Sequence, residues 1–363
     1  MTSKERFHFA CSRRQPDRVP VDYLATRDAH ERIMRHFDLG GERDLLDLLG
    51  ADLYHLSARD ISQNEGFAKI YRGPALYADE EERVCPLGIR YRRAVGDWKF
   101  GADEAIEGAL EGAESPGDVL RHSWPKPSWF DPEPLLEECE SFSDRVIVGG
   151  FWTAILGNAV RLHGFENFLM NLALKPGLIR TLIDRLTDFY LELNERLFSC
   201  LKGRIDVYYF GNDFGSQSGL LFSEQMWLDF YYRSYTSLVS LAKRYGLKVM
   251  VHSCGAIVPL LEHFVDVGID IVDPVQTTAE GMDPGRLKQE FGSRLVFHGA
   301  LDTQHVLPAG TRDEIVSHAA GLIDVLGAGG GYIFAPCNNL QADTPVESIE
   351  AAYRVAGKRS GRT

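Results

Sequence analysis

The residues of this sequence best suited to chemistry are His252 and Cys254, in Leu247-Lys-Val-Met-Val-His-Ser-Cys-Gly255, and Cys337, in Tyr332-Ile-Phe-Ala-Pro-Cys-Asn-Asn339. Side chains alternate faces along a strand, so a two-residue step aims an imidazole and a thiol into one space. Those are ligands that Zn²⁺ prefers, and a catalytic zinc takes three protein ligands and keeps one position open. Cys337 would be the third. The competing structural explanation is that a cysteine in an apolar strand is a small buried hydrophobe and a single histidine a hydrogen-bonded core residue. The metal alternative gains from the shared form of both segments: an apolar β-rich run, then Gly or Pro, then a ligand-type residue where the strand should end.

Positioning these groups requires strands, and apolar runs place eight of them at residues 19–25, 52–57, 145–151, 205–213, 248–252, 269–273, 294–299 and 330–335. Helical patterns separate most of them, among them 159–173, 178–201, 223–245, 258–267, 284–291 and 311–326, and residues 1–18 read as a leading helix. Near-continuous apolar strands alternating with helices imply a parallel sheet covered on both faces. Eight such units predict an α/β protein of the (β/α)8 TIM-barrel class, one domain over 1–363, whose strand C-termini converge on one rim. Between the second and third strands the alternation lapses. Residues 58–144 are expected to form an insertion or lid, rich in aromatics such as Tyr71, Tyr77, Trp98, Phe100, Trp124 and Trp129.

The expected rim includes His55, Phe151, Asp273 and Asp302 beside the candidate ligands. Asp213, one strand before His252, is the candidate catalytic carboxylate: a fourth ligand, a support for the ligand histidine, a substrate contact, or merely a helix cap. Tyr23, Trp152, Asn212, Gln217, Gln276 and His298 are the candidate substrate-binding residues.

With 44% hydrophobic and 25% charged residues, the 363-residue chain has the composition of an ordinary soluble protein. No apolar run approaches the roughly 18 residues of a membrane span, and Met1-Thr-Ser-Lys-Glu-Arg6 lacks a secretory h-region, so a cytoplasmic protein is expected. The formal charge of −13 argues against a nucleic-acid or anionic-membrane surface. Six scattered cysteines do not form a disulfide framework. Gly327-Ala-Gly-Gly-Gly331 precedes a strand, whereas a phosphate loop follows one and opens a helix, so it reads as a turn. A homodimer is left open.

Several segments resemble the uroporphyrinogen decarboxylase superfamily: Gly164-Phe-Glu-Asn-Phe-Leu-Met170, Ser253-Cys-Gly255, Asp270-Ile-Val-Asp-Pro-Val-Gln276, Phe297-His-Gly-Ala-Leu-Asp302 and Ala335-Pro-Cys-Asn-Asn-Leu-Gln-Ala-Asp-Thr-Pro345. The resemblance is close from about Phe142 onward and implies a (β/α)8 barrel. Within that superfamily the His-x-Cys…Cys pattern is similar to the zinc-dependent methyltransferases that work with corrinoid proteins, which implies His252, Cys254 and Cys337 as zinc ligands. True decarboxylases carry an Arg-x-x-x-Gly-Arg-type segment after the first strand; here Asp22-Tyr-Leu-Ala-Thr-Arg-Asp28 has no such motif. The resemblance therefore implies methyl transfer between a small substrate and a cobalamin carried by a separate corrinoid protein. In one form zinc acts as Lewis acid on a methyl ether, favoured here as an aryl ether; in the other it activates a thiol acceptor. The rival expectations are a metal-free decarboxylase and a non-catalytic binding barrel. The Asp28-Ala-His30 start of a corrinoid-binding pattern fails at Ile33, so the cobalamin is expected on a partner.

Overall fold

The computed structural model describes residues 1–58, 60–62, 66–93 and 103–357; the expected contributions of Trp98 and Phe100 lie outside them. Seven strands, β1 (Leu53–His55), β5 (Val146–Gly149), β6 (Val207–Gly211), β7 (Lys248–His252), β8 (Ile271–Val275), β9 (Val296–Leu301) and β10 (Tyr332–Pro336), form one parallel sheet in that order. Between β1 and β5, strands β2 (Glu82–Val84), β3 (Arg90–Arg92) and β4 (Glu104–Glu107) make a separate antiparallel sheet.

The parallel sheet curls. Leu53, Val146, Val148, Val207, Tyr209, Met250, Ile271, Val296 and Ile333, from all seven strands, pack into a single buried cluster, while their alternate neighbours join the larger core beneath the helices. The cluster is closed at one end by Phe7 and Cys11, which lie four residues apart on the helix Ser3–Cys11 and so share one face. A Thr2/Glu5 capping box starts that helix, and Arg6 anchors it to buried Asp52 at 2.6 Å. Burial pushes the Cys11 thiol up to about 12, so it packs as a neutral hydrophobe.

The strand expected at 19–25 exists only as isolated bridges, Val21 to Phe334 and Ala25 to Leu340. Pro20 lacks an N–H and can only accept, which it does from Phe334 N at 2.8 Å. Asp22 N bonds Phe334 O at 2.9 Å on one side, and Asp52 N bonds Val21 O at 2.6 Å on the other. The segment thus contacts both edges of the seven-stranded sheet.

Two expected long helices are each split. Gly164, at φ 81°, divides the 159–173 pattern into Ile155–His163 and Phe165–Leu174, and Tyr231 divides the 223–245 pattern into Glu224–Phe230 and Tyr232–Arg244. Helix Pro176–Cys200 is continuous. No helix among the described residues is long and apolar enough to cross a membrane.

Candidate metal centre and its cavity

Register places the site. Gly211 of β6 pairs with His252 of β7, which pairs with Asp273 of β8, so three adjacent strands bring these positions side by side. A Cβ on Gly211 would fall 2.3 Å from His252 O, so only glycine allows this approach. The loops that follow β6 and β7 also interlock: Ala256 N bonds Ser216 O at 2.8 Å, and a Cβ on Gly255, at φ 87°, would lie 2.5 Å from the carbonyl carbon of Gly215. This contact sets Asp213 against Cys254. Asp213 Oδ1 accepts from Cys254 N at 3.0 Å and lies 3.3 Å from His252 Nε2, and Cys254 Sγ is 3.4 Å from the same nitrogen. The ligand atoms of Asp213, His252 and Cys254 all lie within 4.8 Å of one another.

Cys337 arrives from the end of β10, its N–H bonded to Leu301 O at 2.9 Å and its Sγ 3.3 Å from Thr303 Oγ1. It lines the same cavity but stands outside the three-residue cluster. Asn338 Nδ2 approaches Cys254 Sγ at 3.7 Å.

Behind the cluster runs a buried chain of carboxylates and imidazoles. Asp273 Oδ2 accepts from His252 Nδ1 at 2.7 Å and from the Tyr209 hydroxyl, which turns His252 Nε2 toward Asp213 and Cys254. Against the cost of burial, Tyr209, Cys254, Asp213 and Asp273 raise the His252 pKa well above its ordinary value, so a metal bound at Nε2 would displace a proton. Asp273 Oδ1 is 2.6 Å from His298 Nδ1, His298 Nε2 is 3.0 Å from Asp22 Oδ2, and the same Asp22 oxygen is 2.8 Å from His55 Nε2. Carboxylates only accept, so a histidine with a carboxylate at each nitrogen is an imidazolium. Burial alone would lower the His298 pKa, but Asp273 and Asp22 raise it to about 9. Burial likewise opposes ionisation of Asp273, yet His298 and His252 hold it well below the carboxylate range, and His55 and His298 do the same for Asp22. Asp213 is held low against its own desolvation by His252 and Cys254. Burial pushes the Cys254 thiol up and outweighs the opposing pull of His252, so the thiol is protonated until a metal ion displaces the proton.

One imidazole nitrogen, one thiol and one carboxylate converging on a point, with the imidazole fixed by a carboxylate behind it, is a donor set that fits zinc. Above it opens a cavity of about 670 Å³. Trp152, Ala154, Leu156, Val160, Leu169 and Phe222 give it apolar walls, and Arg27, Asp60 and Arg161 put charge on them.

The expected substrate contacts fall into two groups. Trp152 lines the cavity, its ring 5.5 Å from that of His252. Asn212 also borders it, but its amide is engaged by Leu156 N at 2.6 Å and Tyr235 OH at 3.1 Å. The remaining four lie elsewhere. Tyr23 points outward against Tyr353 and His30, because Asp22 takes the inward face and neighbours alternate. Gln217 is exposed beyond the rim. Gln276 Oε1 accepts from Gly255 N at 2.8 Å and so braces the Cys254 loop. His298, fully buried, lies beneath the floor. Asp302, expected on the rim, accepts from Gln304 N and His305 N at 2.7 and 3.0 Å as a turn residue. Tyr71, Tyr77, Trp124 and Trp129 are not among the cavity-lining residues. Sequence reasoning did not single out Tyr209, Asp22, Arg27 or Arg161.

Comparisons with known proteins agree with this architecture. The family model described as uroporphyrinogen decarboxylase (URO-D) matches residues 135–358, more than half of the chain. No curated protein sequence matches it. Among solved structures, a methyltransferase from Methanosarcina mazei superposes with a TM-score of 0.67 at 17% identity, covering 98% of each chain. The 3-keto-D-glucoside 4-epimerase of E. coli reaches only 0.38 at 14% identity over 61% of this chain and 93% of its own. On the family match, the chain belongs to the uroporphyrinogen decarboxylase family.

Proposed function

We propose that this protein is a zinc-dependent methyltransferase that moves a methyl group between a small substrate, an aryl methyl ether in the favoured case, and the cobalt of a separate corrinoid protein. The scaffold in this reading is one closed (β/α)8 barrel over residues 1–363, with 19–25 as first strand and 58–144 inserted after the second. The convergence of Asp213, His252 and Cys254, the first two lining a cavity with largely apolar walls, carries the proposal. The fold likeness to the Methanosarcina mazei methyltransferase supports it.

His252 and Cys254 would hold the metal, with Cys337 joining from the facing wall and Asp213 as a further ligand or the support of the other two. Bound there, zinc supplies Lewis acidity to the oxygen or sulfur of the substrate. Asp273 fixes the tautomer and ring plane of His252. Trp152, Leu156, Val160 and Phe222 bind the apolar body of the substrate and displace water, which leaves its methyl group turned to the mouth where a corrinoid partner would dock. A thiol acceptor for methylcobalamin fits the same donor set and is the reverse sense of transfer. Metal-free decarboxylation of an acid is the second reading, favoured by Arg27 and Arg161 on the cavity wall.

Two measurements test the proposal: metal content of protein purified without added zinc, and methyl transfer from aryl methyl ethers to cob(I)alamin followed by its visible spectrum. The expected result is about one zinc per chain and zinc-dependent transfer. Full activity of zinc-free protein would reject it, and carbon dioxide release by that protein would establish the second reading.

A further inference from the structure

We propose that the ligand of this cavity carries an anionic group, a carboxylate on an aromatic or apolar body, and that Arg161 is the residue that takes it. The proposal deepens the methyl-transfer reading and rests on it for the reaction, but not for binding.

Helix Ile155–His163 supplies one wall of the cavity through Gly157, Val160 and Arg161, which share a face at i, i+3 and i+4. The Arg161 guanidinium folds back over Gly157: a Cβ built there would lie 2.9 Å from Nη1. The glycine therefore makes the room in which the cation sits. Arg161 Nη1 is buried, yet it has no hydrogen-bond partner among the described residues. A buried N–H without an acceptor costs about 1–3 kcal/mol, and more on a charged group, so an acceptor delivered by a ligand is strongly favoured. Arg27 does not compete for this role, because its side chain is 86% exposed and paired with Glu31 at 2.8 Å. Asp60, the acid on the same wall, has Oδ1 engaged by Ser62 N and Oγ at 2.8 and 3.1 Å. Wall chemistry then sets the body of the ligand: Trp152, Leu156, Val160 and Phe222 are apolar or aromatic. A planar guanidinium recognises a carboxylate through two parallel hydrogen bonds.

Calorimetric titration of the zinc-loaded protein with 4-methoxybenzoate, the neutral 4-methoxybenzamide and 4-methoxybenzenesulfonate tests this without any turnover. The benzoate should bind about 10- to 100-fold tighter than the amide, as expected of a charge-assisted hydrogen bond. Arg161→Gln should erase that preference and leave amide binding in place; Arg161→Lys should keep part of it. Gly157→Ala, which crowds the guanidinium without removing charge, should weaken the benzoate alone. Thermal melts of each variant separate loss of binding from loss of fold. Equal binding of acid and amide, no binding of the benzoate, or a preference that survives Arg161→Gln would each overturn the proposal, and a preference for the sulfonate alone would overturn the carboxylate assignment. Tight, Arg161-dependent binding of an acid that is never demethylated in the presence of corrinoid protein would leave this assignment standing and remove the methyl-transfer reading.

Discussion

The Nε2 of His298 lies 3.0 Å from Oδ2 of Asp22, and both side chains are fully buried. With Asp273 at its other nitrogen, His298 is a cation enclosed by two carboxylates beneath the candidate metal centre. Removing one partner of such a set leaves an uncompensated buried charge, so His298→Gln should destabilise the protein by about 3–5 kcal/mol. The effect should depend on pH. The folded pKa of about 9 lies above the ordinary value of about 6.5, so the imidazolium contributes fully below pH about 6.5 and its contribution is lost as pH rises through about 9. Melting temperatures of the metal-free wild type and variant should therefore converge between those limits; a constant gap would show a neutral His298.

Asp273 should govern the metal from behind. Its Oδ2 fixes His252 Nδ1 at 2.7 Å, so Asp273→Asn, which offers an amide in place of a full charge, should weaken zinc binding by about 10- to 100-fold. Competition against a chromophoric chelator measures this directly, and unchanged affinity would leave Asp273 a packing residue only.

Cys254→Ala and Cys337→Ala should each lose zinc while circular dichroism and melting remain near wild type, because the sheet is held together without the metal. Collapse of the fold in both would identify a structural metal instead. Asp213→Asn separates three roles: reduced zinc indicates a ligand or its support, retained zinc with lost turnover a substrate contact, and no change in either a loop residue bonded to Cys254 N.

Gly255→Ala should disrupt the site through backbone alone. Its added Cβ, 2.5 Å from Gly215, must push the two loops apart and break the Asp213 contact with Cys254. Zinc affinity should fall with little change in the far-ultraviolet spectrum; normal affinity would show that the loops adjust independently.

Strand order and the grouping of His252 with Cys254 were legible because they follow from local pattern: apolar runs mark β5 to β10, and a two-residue step across a strand end keeps both side chains on one side. The phase of alternation was harder to read. In a sheet buried on both faces, inner and outer positions are equally apolar, so nothing local distinguished Asp22 from Tyr23 or gave Tyr209 its inward position. His298 was expected at a pocket and lies beneath the floor, enclosed by the carboxylates of Asp22 and Asp273, a relation among three segments that no single one records. Gln276 reads as a ligand contact by type, yet its carbonyl oxygen is used by Gly255 N. Arg161 escaped notice because nothing in the sequence marks which face of helix Ile155–His163 meets the cavity.

The segment 19–25 also decides how the molecule breathes. Toward β1 a single backbone bond, Asp52 N to Val21 O, joins it to the sheet among the described residues, whereas β6 and β7 are in register over five positions. Local opening starts where few bonds must break together. The amide proton of Val21, which faces this seam and is held only by the Asp52 side chain, should thus exchange with solvent well before those of Val249 to Val251. Because Asp22 directly follows Val21 at this seam, each such opening admits water to His298 and His55 from behind, while Asp213, His252 and Cys254, carried by the strongly paired β6 and β7, stay assembled.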